Sequence, residues 1–385
     1  MTETCYEQEK ITVIAKPTHG CNLGCKYCYV SPEAEKGVMS EQTLENMIDK
    51  VVSLHQSVNF IWHGGEPLTM PLSFYRRAVE LQKKHEGKKI DNGFQTNGTL
   101  VTDEVLDFCV ENDFHLGFSL DGPKELHDLT RPFRNRESSF YQTLEAVKKA
   151  EERTIGEGKR KRSIGGGIII VLNRLNLNRL PEIYEFAKRE NISIQLNPLI
   201  KAGRATGCYQ ELGIGPEEYG QELIKLFDVW FTDGSKIRID PFDDLIRAAI
   251  TEEPRECSFT GRCQYNFISI GPQGDIYPCG RFDGLPNFRF GNINADDLVK
   301  VLTSAKRVHL QGRASRMSEC QPCEYNKICN SGCMHNAYSV TGTIDSKDYY
   351  CSSYKMLFSH IGEKVKQELA KAEVSETLSV SGTSS

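Results

Sequence analysis

The sequence predicts an α/β protein: a partial (β/α)6, TIM-like barrel followed by a small cysteine-rich domain. Three observations carry the prediction. Six short apolar runs alternate with helical periodicities over residues 11–232, the pattern of a parallel sheet with helices outside. Helical periodicity fades after about residue 250, where Cys, Gly and Pro become dense. The 385-residue chain carries 14 cysteines and shows no export signal, so a reducing, cytoplasmic setting is expected. Thiols in such a setting hold metal or do chemistry more often than they pair.

Strands are expected at residues 11–15, 59–63, 93–97, 115–121, 163–172 and 192–197, each bounded by turn residues. Between them, residues 40–55 place Leu44, Met47, Ile48, Val51 and Val52 on one helical face. Residues 102–111 follow a Thr N-cap candidate with acidic residues in the first turn, and 138–151, 178–190 and 216–231 complete the helices. The expected domains are a barrel over 1–235 and a cysteine-rich domain over 236–370. A polar, Ser/Thr-rich tail over 371–385 is expected to be disordered.

Composition narrows the function classes. With 39 % hydrophobic and 26 % charged residues the chain reads as soluble and globular, and no apolar run approaches the ~20 residues of a membrane span. A net charge of −5 argues against a general nucleic-acid binder, although residues 156–162 (GEGKRKR) form a basic loop.

In a parallel barrel, functional residues gather at the C-terminal ends of the strands. Cys21, Cys25 and Cys28 form C-x3-C-x2-C in the loop after the first strand. A closed zinc site wants four ligands, so three thiolates are either half of a site completed elsewhere or a set with one open position. On a [4Fe–4S] cluster the open iron can bind substrate or cofactor. Tyr27, beside the last cysteine, is a candidate to lie over a bound ring.

Here the sequence resembles the radical SAM superfamily, whose signature is this spacing. The resemblance implies a [4Fe–4S] cluster whose open iron chelates S-adenosylmethionine, and a 5′-deoxyadenosyl radical that abstracts a hydrogen atom. Later strand ends extend it. His63-Gly64-Gly65-Glu66-Pro67 resembles the GGEP motif that contacts the methionine amino group; exposed carbonyls and a carboxylate suit an ammonium. Gln95-Thr96-Asn97-Gly98-Thr99 closes the third strand and Ser119-Leu120-Asp121-Gly122-Pro123 the fourth, where Ser119 resembles the ribose-contacting serine. Arg131, in His127-Asp128-x-x-Arg131, matches the arginine that pairs with the methionine carboxylate, and Leu196 is the candidate for packing the adenine.

The later cysteines run Cys257-x5-Cys263, then Cys279, then Cys320-x2-Cys323-x5-Cys329-x3-Cys333 and Cys351. From Cys263 onward this is similar to the seven-cysteine pattern of the SPASM domain, which carries auxiliary iron–sulfur clusters in peptide-modifying radical SAM enzymes, with Cys257 an eighth ligand; a pair of zinc sites is the alternative. The resemblance implies one cluster on Cys257, Cys263, Cys279 and Cys333 and a second on Cys320, Cys323, Cys329 and Cys351, three [4Fe–4S] clusters in all. Fully ligated clusters suit electron transfer. Of the three cysteines left, Cys109 lies in an apolar helical pattern, Cys5 is near the terminus, and Cys208 sits in a Gly-rich strand-end loop.

To about residue 365 the chain also resembles anaerobic sulfatase-maturating enzymes, which oxidise a peptide Cys or Ser to formylglycine. It departs where that family has Pro-Cys-Asp with a catalytic aspartate, since this chain reads Pro278-Cys279-Gly280. Glycine accepts no proton, and Asp283 is the nearest substitute base. The expectation is therefore a related activity, an intramolecular C–C (cyclophane-type) crosslink in a ribosomally made peptide, with formylglycine or thioether formation as alternatives. Expected partners are a precursor peptide or protein substrate and an electron donor such as flavodoxin or ferredoxin. Only about ten residues precede the first strand, so a leader is expected to bind the barrel, the SPASM surface or a separate protein, with the basic loop 158–162 and Arg204 as candidate contacts. Neither nucleic acid nor membrane is an expected partner.

Overall fold

Alternation along the strands sets the architecture. In the computed structural model, which describes residues 10–30, 37–158 and 161–381, β1 (Lys10–Thr18), β2 (Ser57–Gly64), β3 (Lys89–Thr96) and β4 (Phe114–Ser119) pair in parallel. A short antiparallel hairpin, β5 (Thr154–Ile155) and β6 (Arg162–Ser163), precedes β7 (Gly165–Leu172). The parallel sheet then continues from β4 to β7 and from β7 to β8 (Ile194–Pro198). All six expected barrel strands form, in the expected order.

Val58, Phe60 and Trp62 of β2 are fully buried and point toward the helices. Trp62 meets Tyr75 of helix Leu72–Gln82 edge-on at 5.5 Å; Tyr75 meets Phe94 of β3 at 4.7 Å, and Phe94 meets Phe114 of β4 at 5.1 Å. Each such side chain contributes about 1.5–3 kcal/mol when fully buried. Successive side chains on a strand point to opposite faces, so the inner face carries Lys16, His63, Gln95 and Ser119 at the strand ends.

The helices start where the sequence places their caps. Ser40 accepts from Thr43 N ahead of helix Glu41–Leu54, whose buried face includes Leu44, Met47, Ile48, Val51 and Val52. Thr102 accepts from Val105 N ahead of Asp103–Glu111. Helices Phe140–Glu152 and Leu180–Glu190 lie within two residues of their expected bounds.

The domain boundary differs from the expected 235/236. The chain up to Gly213 forms one compact unit together with Arg262–Arg313, and Ile214–Gly261 forms a second with the chain from Ala314 onward. Helix Pro216–Asp233 and β9 (Ile239–Asp240) thus belong to the second unit. Residues 262–313 return to the first because β10 (Phe267–Ile270) pairs parallel with β1, from Thr12↔Phe267 to Ala15↔Ile270. The strands β11 (Asp275–Tyr277) and β12 (Gly291–Asn292) follow antiparallel. A partial barrel leaves the β1 edge with unpaired backbone groups, and β10 satisfies them.

In the second unit, Phe259 packs against Tyr354 and Phe358 at 4.9 and 5.4 Å. Helix Pro216–Asp233 is joined to the last helix by His360, which lies 2.8 Å from Asp228. That last helix, Cys351–Ser381, runs through most of the segment expected to be a disordered tail. Extending an existing helix needs no new nucleus, so polar residues of ordinary propensity continue it. Residues 382–385 lie outside the described residues. Among the described residues, no helix is long and apolar enough to cross a membrane.

Candidate functional site

The loop after β1 carries Cys21, Cys25 and Cys28, all partly buried. Backbone bonds stitch the turn after β2 to it: Gly65 N donates to Thr18 O (2.9 Å) and Glu66 N to Gly20 O (2.8 Å). A Cβ at Gly65 would sit 2.1 Å from Gly20 O, so this approach requires glycine. Gly64, with φ +117°, makes the turn. From the far side, Arg204 N donates to Cys28 O (2.8 Å) while the Arg204 side chain is exposed.

Burial pushes the Cys25 thiol up to about 11; Arg131 opposes this, and Cys28 and Cys21 add to it. Burial also raises Cys21, whose sulfur accepts from Leu23 N at 3.4 Å. Three partly buried thiols on one loop form a donor set that an iron–sulfur cluster fits, since the metal takes the thiolate and displaces the proton. Among the described residues, no group of three His, Cys, Asp or Glu side chains has the geometry of a single-ion site.

Glu66 is buried, with Oε1 accepting from Thr96 Oγ1 (2.7 Å) and Leu68 N (3.1 Å) and Oε2 from Asn97 N (2.7 Å). Burial raises its pKa against these bonds. Tyr27 donates to Asp121 (2.5 Å), accepts from Arg131 Nη1 (2.8 Å) and packs with Leu199, Ala205 and Leu212, so its ring is part of a small core. Asp121 also accepts from Thr130 Oγ1 and Val171 N. The buried Arg131 Nε has no partner. An orphaned guanidinium N–H beside the cysteine loop fits an anionic group such as the methionine carboxylate. Ser119 accepts from Gln95 Nε2 at 3.2 Å on the inner face.

Leu196 does not fit its expected role. It is in register with Ile170, and Ile168, two residues before, is in register with Phe118. In-register residues of a parallel sheet share a face, so Leu196 joins the buried helix-side core, and Gln195 and Asn197 take the inner face.

The inner wall at the end of β1 holds a group the sequence did not reveal. Lys16 Nζ lies 2.8 Å from Asp283 Oδ2 and donates to Gly280 O at 2.9 Å; His19 Nε2 lies 2.8 Å from the same carboxylate oxygen. Burial opposes the Asp283 charge, yet Lys16 and His19 hold the carboxyl well below the usual range. Burial also opposes the Lys16 charge, but Tyr29 and Asp283 outweigh it and raise the pKa. The Lys16 ammonium sits over the Tyr29 ring at 5.1 Å, and the Tyr29 hydroxyl is 3.2 Å from His63 Nε2. Burial, with Lys16 and Arg131 nearby, lowers His63 to about 3, so the imidazole is neutral.

Of the auxiliary cysteines, Cys263 and Cys279 lie in the first unit and Cys257 and Cys333 in the second. Cys320, Cys323, Cys329 and Cys351 line one pocket of the second unit with Asp348. Burial pushes Cys329 up to about 12, and Asp348 and the other three cysteines add to it. Four thiols converging on one pocket suit a fully ligated cluster. Cys109 is buried and pushed up to about 12, an inert core thiol. Cys208 donates to Lys26 O at 3.5 Å. Cys5 and residues 159–160 lie outside the described residues, and Arg162 is paired with Asp113.

The sequence matches the radical SAM superfamily over residues 15–187 and the SPASM iron–sulfur cluster-binding domain over 257–324. It is 32 % identical to a serine-type anaerobic sulfatase-maturating enzyme of Bacteroides thetaiotaomicron, covering 93 % of this chain and 91 % of the relative. It is 30 % identical to a cysteine-type enzyme of Clostridium perfringens, covering 91 % and 96 %. The solved structure of native anSMEcpe with bound AdoMet and Cp18Cys peptide superposes with a TM-score of 0.80 at 27 % identity, covering 94 % of this chain and 99 % of that one. Streptococcus suis SuiB bound to its precursor peptide SuiA shares the fold, with a TM-score of 0.62 at 16 % identity over 88 % and 75 %. The chain belongs to the radical SAM superfamily and, within it, to the SPASM-bearing family that includes the anaerobic sulfatase-maturating enzymes.

Proposed function

We propose that this chain oxidises a side-chain carbon of a peptide or protein substrate and joins it to a neighbouring aromatic side chain. When bound, the cluster and S-adenosylmethionine supply one-electron chemistry that removes a hydrogen atom from the substrate. Arg131 Nε and the Glu66 turn orient the methionine end, and Ser119 lies on the wall where a ribose would rest. The Lys16–Asp283–His19 group and the Tyr29–His63 pair form the polar wall around the reacting side chain.

The observation that carries the product assignment is the relation of Gly280 to Lys16. A Cβ on Gly280 would lie 3.5 Å from Lys16 Cε and 3.7 Å from Nζ, so a side chain there would point at the ammonium. The nearest carboxylate, Asp283, meets that ammonium from three residues further on and is held ionised by it. A carboxylate so stabilised is a weak base, poorly matched to an unactivated serine hydroxyl or cysteine thiol. It is adequate for the acidic proton lost when a ring regains aromaticity after radical attack. The balance is then two hydrogens lost from the peptide: one as an atom, the other as a proton to Asp283 or water together with an electron, for which a bound auxiliary cluster would be the acceptor.

Formylglycine formation is the second reading, favoured by the full-length likeness to sulfatase-maturating enzymes of both types. Product mass spectrometry separates the two. A crosslink removes two hydrogens and leaves no carbonyl, whereas formylglycine reacts with a hydrazide.

A further inference from the structure

Asp348 is buried, with 4 % exposure, and is encircled by donors from two cysteine-bearing segments. Its Oδ2 accepts from Cys333 N at 2.7 Å and its Oδ1 from Tyr350 N at 2.8 Å, one residue before Cys351. Asn336 Nδ2 reaches both oxygens at 3.3 and 3.2 Å. The backbone repeats the link, since Cys351 N donates to Asp348 O at 3.0 Å.

The turn that brings Cys333 to this carboxylate is strained. Asn330, Ser331 and Gly332 have φ of +47°, +71° and +67° in succession. Left-handed backbone brings the Cβ of a non-glycine residue too close to the following carbonyl oxygen. A Cβ at Gly332 would lie 2.6 Å from Asp348 Cβ and 2.8 Å from its Oδ2, so the close approach demands glycine. Asp348 also lines the pocket of Cys320, Cys323, Cys329 and Cys351.

We propose that Asp348 is a positioning residue of the auxiliary iron–sulfur site on Cys320, Cys323, Cys329 and Cys351, fixing the Cys351 segment against the turn before Cys333, and that its charge lowers the reduction potential of that site. A buried anion near a cluster disfavours the added electron. The inference rests on the SPASM reading and deepens it.

The test uses the full chain carrying Cys21/Cys25/Cys28→Ala, purified anaerobically, so that only auxiliary iron remains. It should hold about eight irons; far fewer overturns the cluster reading and the inference with it. In that background Asp348→Asn keeps the size, loses the charge and turns an N–H toward one of the donors. EPR-monitored potentiometric titration should show one auxiliary step moving to higher potential, by about tenfold in the oxidised-to-reduced ratio, or about 59 mV for one electron. Asn336→Ala removes a donor that neutralises the carboxylate and leaves its charge, so the same step should move to lower potential. If Asp348→Asn loses iron, the Asn336→Ala shift decides alone. Equal movement of both steps, or no movement in either variant, overturns the proposal.

Discussion

Lys16 Nζ and Asp283 Oδ2 lie 2.8 Å apart with side chains only 1 % and 8 % exposed, a buried ion pair between the first barrel strand and the segment after Cys279. Breaking such a pair from one side leaves a buried charge without its partner and costs about 3–5 kcal/mol, whereas replacing both partners by apolar groups costs little. Lys16→Met is therefore expected to destabilise the first unit by about that amount, and Lys16→Met/Asp283→Leu to recover most of it. Guanidinium denaturation of the four members of the cycle measures both.

The three-cysteine loop is expected to be separable from the auxiliary iron. Cys21/Cys25/Cys28→Ala should keep about eight of about twelve irons and lose all 5′-deoxyadenosine formation. Iron analysis and chromatography of the nucleoside check this; continued cleavage of S-adenosylmethionine would place the initiating site elsewhere.

Arg131 carries the orphaned buried N–H. Removing a charge-assisted hydrogen bond costs about 1.5–3 kcal/mol, roughly 10–100-fold in affinity. Arg131→Met should raise the KM for S-adenosylmethionine by that factor at unchanged iron content. Loss of iron in parallel would instead mark Arg131 as support for the cysteine loop through Tyr27.

His127 gives a pH prediction. Burial, with Arg131 and Lys124 nearby, lowers its pKa to about 3 from 6.5, and the neutral ring accepts from Asp121 N at 3.2 Å. Between those values the unfolded chain binds a proton the folded chain does not, so stability falls as pH falls through the window, by up to about 1.4 kcal/mol per pH unit. In His127→Gln the loss between pH 7 and 5.5 should be smaller by about 1 kcal/mol. Equal losses in both proteins, measured by denaturation at the two pH values, would contradict it.

Legibility in the sequence followed separation along the chain. The six parallel strands, the Ser40 and Thr102 caps and the buried stripe from Leu44 to Val52 were readable because each depends on neighbours within a few residues. The cysteine spacings were readable for the same reason. The pairing of β10 with β1 was not, because a four-residue strand has no pattern that names its partner. The grouping of residues 262–313 with the first unit is hidden for that reason, and the Lys16–Asp283 pair with it. Leu196 failed differently: the strand was correct, but its face is fixed by register with Ile170, which apolar content does not reveal.

Mass spectrometry of peptide products decides whether oxidation ends in the proposed carbon–carbon link. The reduced enzyme with S-adenosylmethionine is offered two peptides, one with adjacent aromatic side chains and one with the Cys or Ser of a sulfatase maturation segment. The aromatic peptide should lose two hydrogens, with fragmentation blocked between the joined residues, and neither peptide should give a hydrazide-reactive product. A hydrazide-reactive aldehyde on the sulfatase peptide, with the aromatic peptide unchanged, would contradict it.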